Sequence, residues 1–126
     1  MNKILIVEDN KEITEILETS FKLAGFKELF LANNGEKAID VARKVKPEIL
    51  MDVTMPGEID GIEATRIPKN DPESKRSLIM ILTAKTHKND VERGYAAGAD
   101  YYFTKPFIPT VLIKRIEGIL ETELEI

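Results

Sequence analysis

Glu8, Asp9, Asp52, Thr83 and Lys105 are the residues whose types and spacing could do chemistry. Glu8-Asp9 follows Ile4-Leu5-Ile6-Val7, Asp52 follows Ile49-Leu50-Met51, Thr83-Ala84 follows Leu78-Ile79-Met80-Ile81-Leu82, and Thr104-Lys105-Pro106 follows Tyr101-Tyr102-Phe103. Brought together, they form three carboxylates with a hydroxyl and an ammonium nearby. Like charges at close range disfavour ionisation and oppose folding unless a cation compensates. Carboxylates with water and a backbone carbonyl suit a hard divalent cation, Mg²⁺ above all. Each residue alone has an ordinary reading: Asp at a strand end is a cap or turn residue, Lys105 a solvated lysine, Thr83 a strand residue. The conjunction argues for a shared site, because four of the five apolar runs end in groups of complementary chemistry.

The elements that must position these groups alternate. The runs above, with Leu29-Phe30-Leu31, have the length of strands buried on both faces. Between them lie segments of helical spacing. Ile13, Ile16, Leu17, Ser20, Phe21 and Ala24 share one face and stop at Gly25. Asn33-Asn34-Gly35-Glu36 caps a second helix bearing Ala38, Ile39, Ala42 and Val45, closed by Pro47. A third begins after Asp60-Gly61 and is expected to end near Arg66, because Pro68 in a helix interior loses a hydrogen bond and clashes. Asn89-x-x-Glu92 offers a capping box for a fourth, with Val91, Tyr95 and Ala96, ended by Gly98. The last, Thr110 to about Leu124, presents Leu112, Ile116, Ile119 and Leu120. Lys69 to Arg76 reads as a solvated loop, and His87 as a solvated side chain. Five alternations predict a single α/β domain over residues 1–126, a parallel sheet with right-handed crossovers and helices on both faces. In such a sheet function lies outside the carboxyl ends of the strands, at the point where strand order reverses.

Composition narrows the class. At 126 residues, one compact unit is expected. With 43% hydrophobic and 32% charged residues and no apolar run near the ~18 residues of a membrane span, the chain reads as an ordinary soluble protein. Zero cysteines rule out disulfides, thiolate metal sites and thiol catalysis, and a single histidine rules out a His-rich site. Any metal must be held by oxygen. A net charge of -4 argues against direct affinity for nucleic acid or anionic lipid. The first apolar run is too short and too soon acidic for a signal peptide, so a cytoplasmic location is expected.

Taken in order, Lys3-Ile4-Leu5-Ile6-Val7-Glu8-Asp9, Asp52-Val53-Thr54-Met55-Pro56-Gly57, Leu82-Thr83-Ala84 and Gly98-Ala99-Asp100-Tyr101-Tyr102-Phe103-Thr104-Lys105-Pro106-Phe107 strongly resemble the receiver domain of two-component response regulators. The resemblance covers nearly the whole chain and implies a doubly wound, flavodoxin-like strand order 2-1-3-4-5. It makes Asp52 the nucleophile that accepts a phosphoryl group. Glu8 and Asp9 would hold Mg²⁺ with Asp52, the Thr54 carbonyl would be a further ligand, and Thr83 and Lys105 would bind phosphoryl oxygens. Phosphoryl transfer asks mainly for positioning and charge cancellation, which these groups supply. The resemblance also makes Tyr102 an aromatic that swings inward when Thr83 moves, with Ala84 leaving room, and implies a cis peptide between Lys105 and Pro106. A sensor histidine kinase would be the donor, and a downstream protein would read the face of the fourth helix, fifth strand and fifth helix. The expected protein is a monomer or a phosphorylation-dependent dimer, a switch and not an enzyme apart from self-phosphorylation and self-dephosphorylation.

A second reading from the enzyme class is a Mg²⁺-dependent phosphatase or phosphotransferase that acts on small molecules through an aspartyl-phosphate. No lid or extra domain is visible to enclose such a substrate. A flavin or nucleotide module would want a phosphate-cradling loop where Glu8-Asp9-Asn10 stands. A degenerate receiver that only binds partners is opposed by the intact Asp9, Asp52, Thr83 and Lys105. Four features depart from the family pattern: four residues, Glu48 to Met51, between Pro47 and Asp52, Pro68 where a helix normally continues, Leu78 where a proline often begins the fourth strand, and a longer turn from Pro56 to Gly61.

Overall fold

The computed structural model describes residues 2–55 and 57–124; Pro56 of the turn motif lies outside the described residues. Five strands and five helices alternate: β1 (Lys3–Val7), α1 (Lys11–Leu23), β2 (Glu28–Ala32), α2 (Gly35–Val45), β3 (Glu48–Met51), α3 (Gly61–Lys69), β4 (Ile79–Thr83), α4 (Lys88–Ala96), β5 (Tyr101–Thr104) and α5 (Pro109–Leu124). The strands form one parallel sheet in the order β2-β1-β3-β4-β5. Chain order therefore reverses between β1 and β3, whose carboxyl ends define the switch point.

Because side chains alternate along a strand, apolar runs feed two cores at once. Ile4, Ile6, Leu50, Met80 and Leu82 pack with Leu17 and Phe21 of α1 and Leu112, Ile113, Ile116 and Leu120 of α5. Leu5, Val7, Ile49, Met51 and Ile79 pack with Ala38 and Ala42 of α2 and Ala64 of α3. A third cluster joins Ile81, Val53, Ile62 and Ala97, with Tyr102 against it. Tyr101 and Phe103 face the α1/α5 layer, opposite Tyr102.

Several local expectations are corrected. Only the three central strands are buried on both faces, because β2 and β5 are the sheet edges, where Leu31 and Thr104 are exposed. Ile16 lies outside the α1 core, and on α5 Ile113 takes a core position that Ile119 fills only in part. α3 does not stop at Arg66 but continues through Pro68 to Lys69. Pro68 falls in the last turn, where its missing N–H removes the single bond to the carbonyl four residues back and the helix ends one residue later, and it is itself buried. Its carbonyl accepts from Ser74 Oγ at 2.9 Å and from Asp71 N at 3.2 Å. α4 starts one residue before Asn89, with His87 at the cap position and no side-chain cap bond. Within the expected solvated loop Ser74 is buried, as is Ser77 just beyond it, and Lys69 reaches Asp100 at 2.7 Å and Ser77 O at 2.8 Å. The short entry to β3 is accommodated by Lys46, which adopts the left-handed conformation (φ 56°) just past α2.

Candidate functional site

Register brings the acidic residues together. Val7, the last residue of β1, pairs with Met51, the last of β3, so Glu8 and Asp52 leave the sheet side by side. Asp52 N donates to Val7 O at 3.0 Å, and Glu8 N donates to Ala32 O at 3.0 Å. Asn10 then caps α1, its side chain accepting from Ile13 N, which ends the loop two residues after Glu8 and leaves Asp9 exposed. Glu8, Asp9 and Asp52 each offer one carboxylate oxygen, and these lie within 4.8 Å of one another. Glu8 is 5% and Asp52 6% exposed.

Lys105 closes the cluster from the other end of the chain. Thr83 pairs with Thr104 at the ends of β4 and β5, and Lys105 N donates to Thr83 O at 2.8 Å. The Lys105–Pro106 peptide is cis. Lys105 Nζ donates to Glu8 Oε1 at 2.6 Å and to Asp52 Oδ2 at 3.3 Å. Thr54 N donates to Asp52 Oδ1 at 3.0 Å, and Asn10 N to Glu8 Oε2 at 3.1 Å. Burial pushes the Glu8 carboxyl up to about 7; the Lys105 and Asn10 hydrogen bonds oppose the rise, and the Asp52 charge adds to it. Burial alone would lower the Lys105 ammonium. The hydrogen bond to Glu8 and the charges of Asp52 and Glu8 outweigh it and hold the group above its usual range. Three hard oxygen donors with one lysine leave a net negative pocket that fits Mg²⁺ and excludes soft-ligand metals.

Thr83 is fully buried, and its Oγ1 accepts from Lys85 N at 3.4 Å. Tyr102 is half-buried and its hydroxyl donates to Lys85 O at 2.6 Å. Burial, then Asp90, Asp52 and Tyr95, raise the Tyr102 phenol above its ordinary value. Ala84 is exposed, and the residue directly against the Tyr102 ring is Gly94 of α4. A cleft of about 240 Å³ beside Asp52 is lined by Val53, Thr54, Met55, Ile62, Lys85 and Arg93, among others. His87 is exposed and outside the cluster.

Two positioning residues had no distinctive sequence signal. Gly61 begins α3 and donates its N–H to Val53 O at 3.2 Å. A Cβ on it would stand 2.2 Å from both Asp52 O and Val53 Cα. Here glycine is required by the close approach of a helix to the backbone of Asp52. Gly94 of α4 is the other; neither a glycine after Asp60 nor one inside a helical segment says by itself which atoms its missing side chain would meet.

A doubly wound parallel sheet with an acidic, cation-competent pocket at its switch point, flanked by a buried threonine and a lysine, defines a flavodoxin-like α/β fold with its site at the carboxyl ends of the strands. The model of the response regulator receiver domain matches residues 4–117, and the chain belongs to that family, the receiver domains of two-component systems. The chain is 36% identical over 122 residues to the transcriptional regulatory protein CpxR of Escherichia coli K12, a match covering 95% of this chain and 50% of CpxR. It thus spans about half the length of the curated relatives it matches. Among solved structures it is similar to a putative response regulator from Chloroflexus aurantiacus, with 35% identity, a TM-score of 0.86, and coverage of 95% of this chain and 98% of the other. It is also similar to the receiver domain of the sensor histidine kinase PA1611 from Pseudomonas aeruginosa PAO1, described with a magnesium ion coordinated in its active site cleft, with 32% identity, a TM-score of 0.82, and coverage of 91% and 93%.

Proposed function

We propose that the protein is a phosphoacceptor switch, in which a phosphoryl group passes from a phosphohistidine of a sensor histidine kinase to Asp52 and changes a partner-binding surface. The observation that carries this reading is the buried Asp52 carboxylate, with Lys105 3.3 Å from one oxygen and Glu8 and Asp9 in one acidic cluster with it. An Asp52 oxygen attacks phosphorus, the P–N bond to the imidazole breaks, and an acyl phosphate forms. Thr54 N, bonded to Asp52 Oδ1, orients the carboxylate. Glu8, Asp9, Asp52 and the Thr54 carbonyl would hold Mg²⁺. When bound, the ion cancels charge on the acidic cluster and the transferring group.

Lys105 in this reading exchanges its 2.6 Å contact with Glu8 for a phosphoryl oxygen on Asp52. The Thr83 hydroxyl moves toward another oxygen and gives up its long bond from Lys85 N. Thr83, Ala84 and Tyr102 form the switch, and the downstream protein reads the face of α4, β5 and α5. Self-phosphorylation by small acyl phosphates and self-dephosphorylation belong to the same chemistry. The receiver unit is taken as residues 1–126, cytoplasmic, and monomeric or dimeric on phosphorylation. The test is intact mass after incubation with Mg²⁺ and acetyl phosphate. A single phosphoryl adduct that is lost in Asp52→Asn is expected; no adduct, or an adduct that survives in Asp52→Asn, overturns the assignment.

A further inference from the structure

Tyr102 is seated at three points. Its hydroxyl bonds to Lys85 O, its ring lies 6.2 Å from that of Tyr95, and its edge lies on Gly94. Gly94 is buried within α4, and its backbone does not need the left-handed freedom that glycine offers, which Gly25, Gly57 and Gly98 use. Glycine weakens a helix interior, so its presence calls for another reason. A Cβ at this position would stand 2.9 Å from Tyr102 Cε2, 3.1 Å from Tyr102 Cδ2 and 2.9 Å from Ile81 Cδ1. Non-bonded carbons pack at about 3.5–4.0 Å. Ile81 is in the fully buried centre of β4, where surrounding core atoms restrict the shift open to its Cδ1, whereas Tyr102 is half-buried on an edge strand and has solvent on its outer side to rotate into.

The Lys85 peptide is where this seat meets the site. Its N–H reaches Thr83 Oγ1 and its carbonyl receives the Tyr102 hydroxyl, so the two side chains are fastened to the same residue.

We infer that Gly94 is a positioning residue of the switch: the missing side chain on α4 is what allows Tyr102 to dock inward on the Lys85 carbonyl. Any side chain there drives the ring out and uncouples the α4–β5 face from Asp52. The inference rests on the reading of the protein as a phosphorylation switch, and its test separates the two.

Gly94→Ala raises the intrinsic helix propensity of α4, so a loss of coupling in it is not a weakened helix. Gly118→Ala on α5 is the control, because a Cβ there meets nothing within 4 Å. The first measurement, on unmodified protein, is the chemical shifts of the Tyr102 ring and the Lys85 carbonyl carbon. Gly94→Ala should shift both toward the values of an exposed ring and a solvated carbonyl, while Gly118→Ala leaves them native. Native shifts in Gly94→Ala overturn the inference whatever the protein's function. The second adds Mg²⁺ and beryllofluoride, whose fluorides stand in for the phosphoryl oxygens. Gly94→Ala should form the adduct at Asp52, seen by fluorine NMR, yet lose the response that native protein shows in residues 84–107. A response equal to native overturns the inference. No response beyond the pocket in native protein overturns the switch reading instead, and the first measurement still judges Gly94. If the contact with Ile81 unfolds the variant, the pair Ile81→Val and Gly94→Ala, which lacks Cδ1, carries the same two measurements.

Discussion

Replacing Glu8 with glutamine should remove a pH dependence that burial imposes on the metal-free fold. The Glu8 carboxyl is pushed from 4.5 up to about 7, first by burial; hydrogen bonds from Lys105 and Asn10 pull it back, and the Asp52 charge adds to the rise. A carboxyl that holds its proton more tightly in the folded state leaves that state richer in protons between the two values. Its stabilising contribution is therefore complete below pH 4.5 and is lost as pH rises through about 7. The span corresponds to about 3 kcal/mol, set against the roughly 5–15 kcal/mol that holds a domain folded. Glu8→Gln keeps the side chain's shape and cannot ionise. In chelator-treated protein the native fold should lose stability relative to the variant as pH rises across this window, until the variant leads by up to about 3 kcal/mol near neutrality and above. Urea denaturation followed by far-UV circular dichroism reads the gap, and a slope of about 1–3 kcal/mol per molar turns it into a midpoint difference of roughly 1–3 M. Parallel stability curves for the two proteins across the window would refute the account of Glu8 as a carboxyl whose ionisation the fold opposes.

Mg²⁺ should stabilise the native protein, by about 2.7 kcal/mol at a hundred times its Kd, and should do so far less in Asp9→Asn; equal shifts in melting temperature would remove Asp9 from the metal site. Gly61→Ala should cost about 1–3 kcal/mol and slow acetyl-phosphate labelling of Asp52, because a Cβ 2.2 Å from Asp52 O meets backbone that no rotamer change relieves. A folded variant that labels at the native rate would refute this. Asp100→Ala takes from Lys69 a partner at 2.7 Å and from Ile79 N an acceptor at 2.9 Å, and should cost about 1–3 kcal/mol in urea denaturation. Asp100→Asn, which can still accept from Ile79 N, should recover part of that loss.

The five apolar runs and the helical spacing between them were sufficient for a parallel sheet with helices on both faces, because solid apolar runs and a 3.6-residue periodicity are local properties of the chain; the doubly wound strand order came with the resemblance to receiver domains. The chemistry at the strand ends was legible for the same reason: Glu8-Asp9, Asp52, Thr83 and Lys105 each adjoin a run whose direction in a parallel sheet is common to all. Local signals failed where burial or neighbours overrode them. Pro68 stays within α3, in its last turn and buried, while Lys69 pairs with Asp100 and buried Ser74 bonds back to the Pro68 carbonyl although the segment from Lys69 to Arg76 reads as polar loop. Only the tertiary structure decided that Lys105 sits nearer to Glu8 than to Asp52, a contact between residues 97 apart in the chain. It alone showed that Gly94 of α4 lies against the Tyr102 ring. A glycine's spacing says that a side chain is missing; which atoms occupy that space is set by elements that arrive from elsewhere in the sequence, here Ile81 of β4 and Tyr102 of β5 against α4.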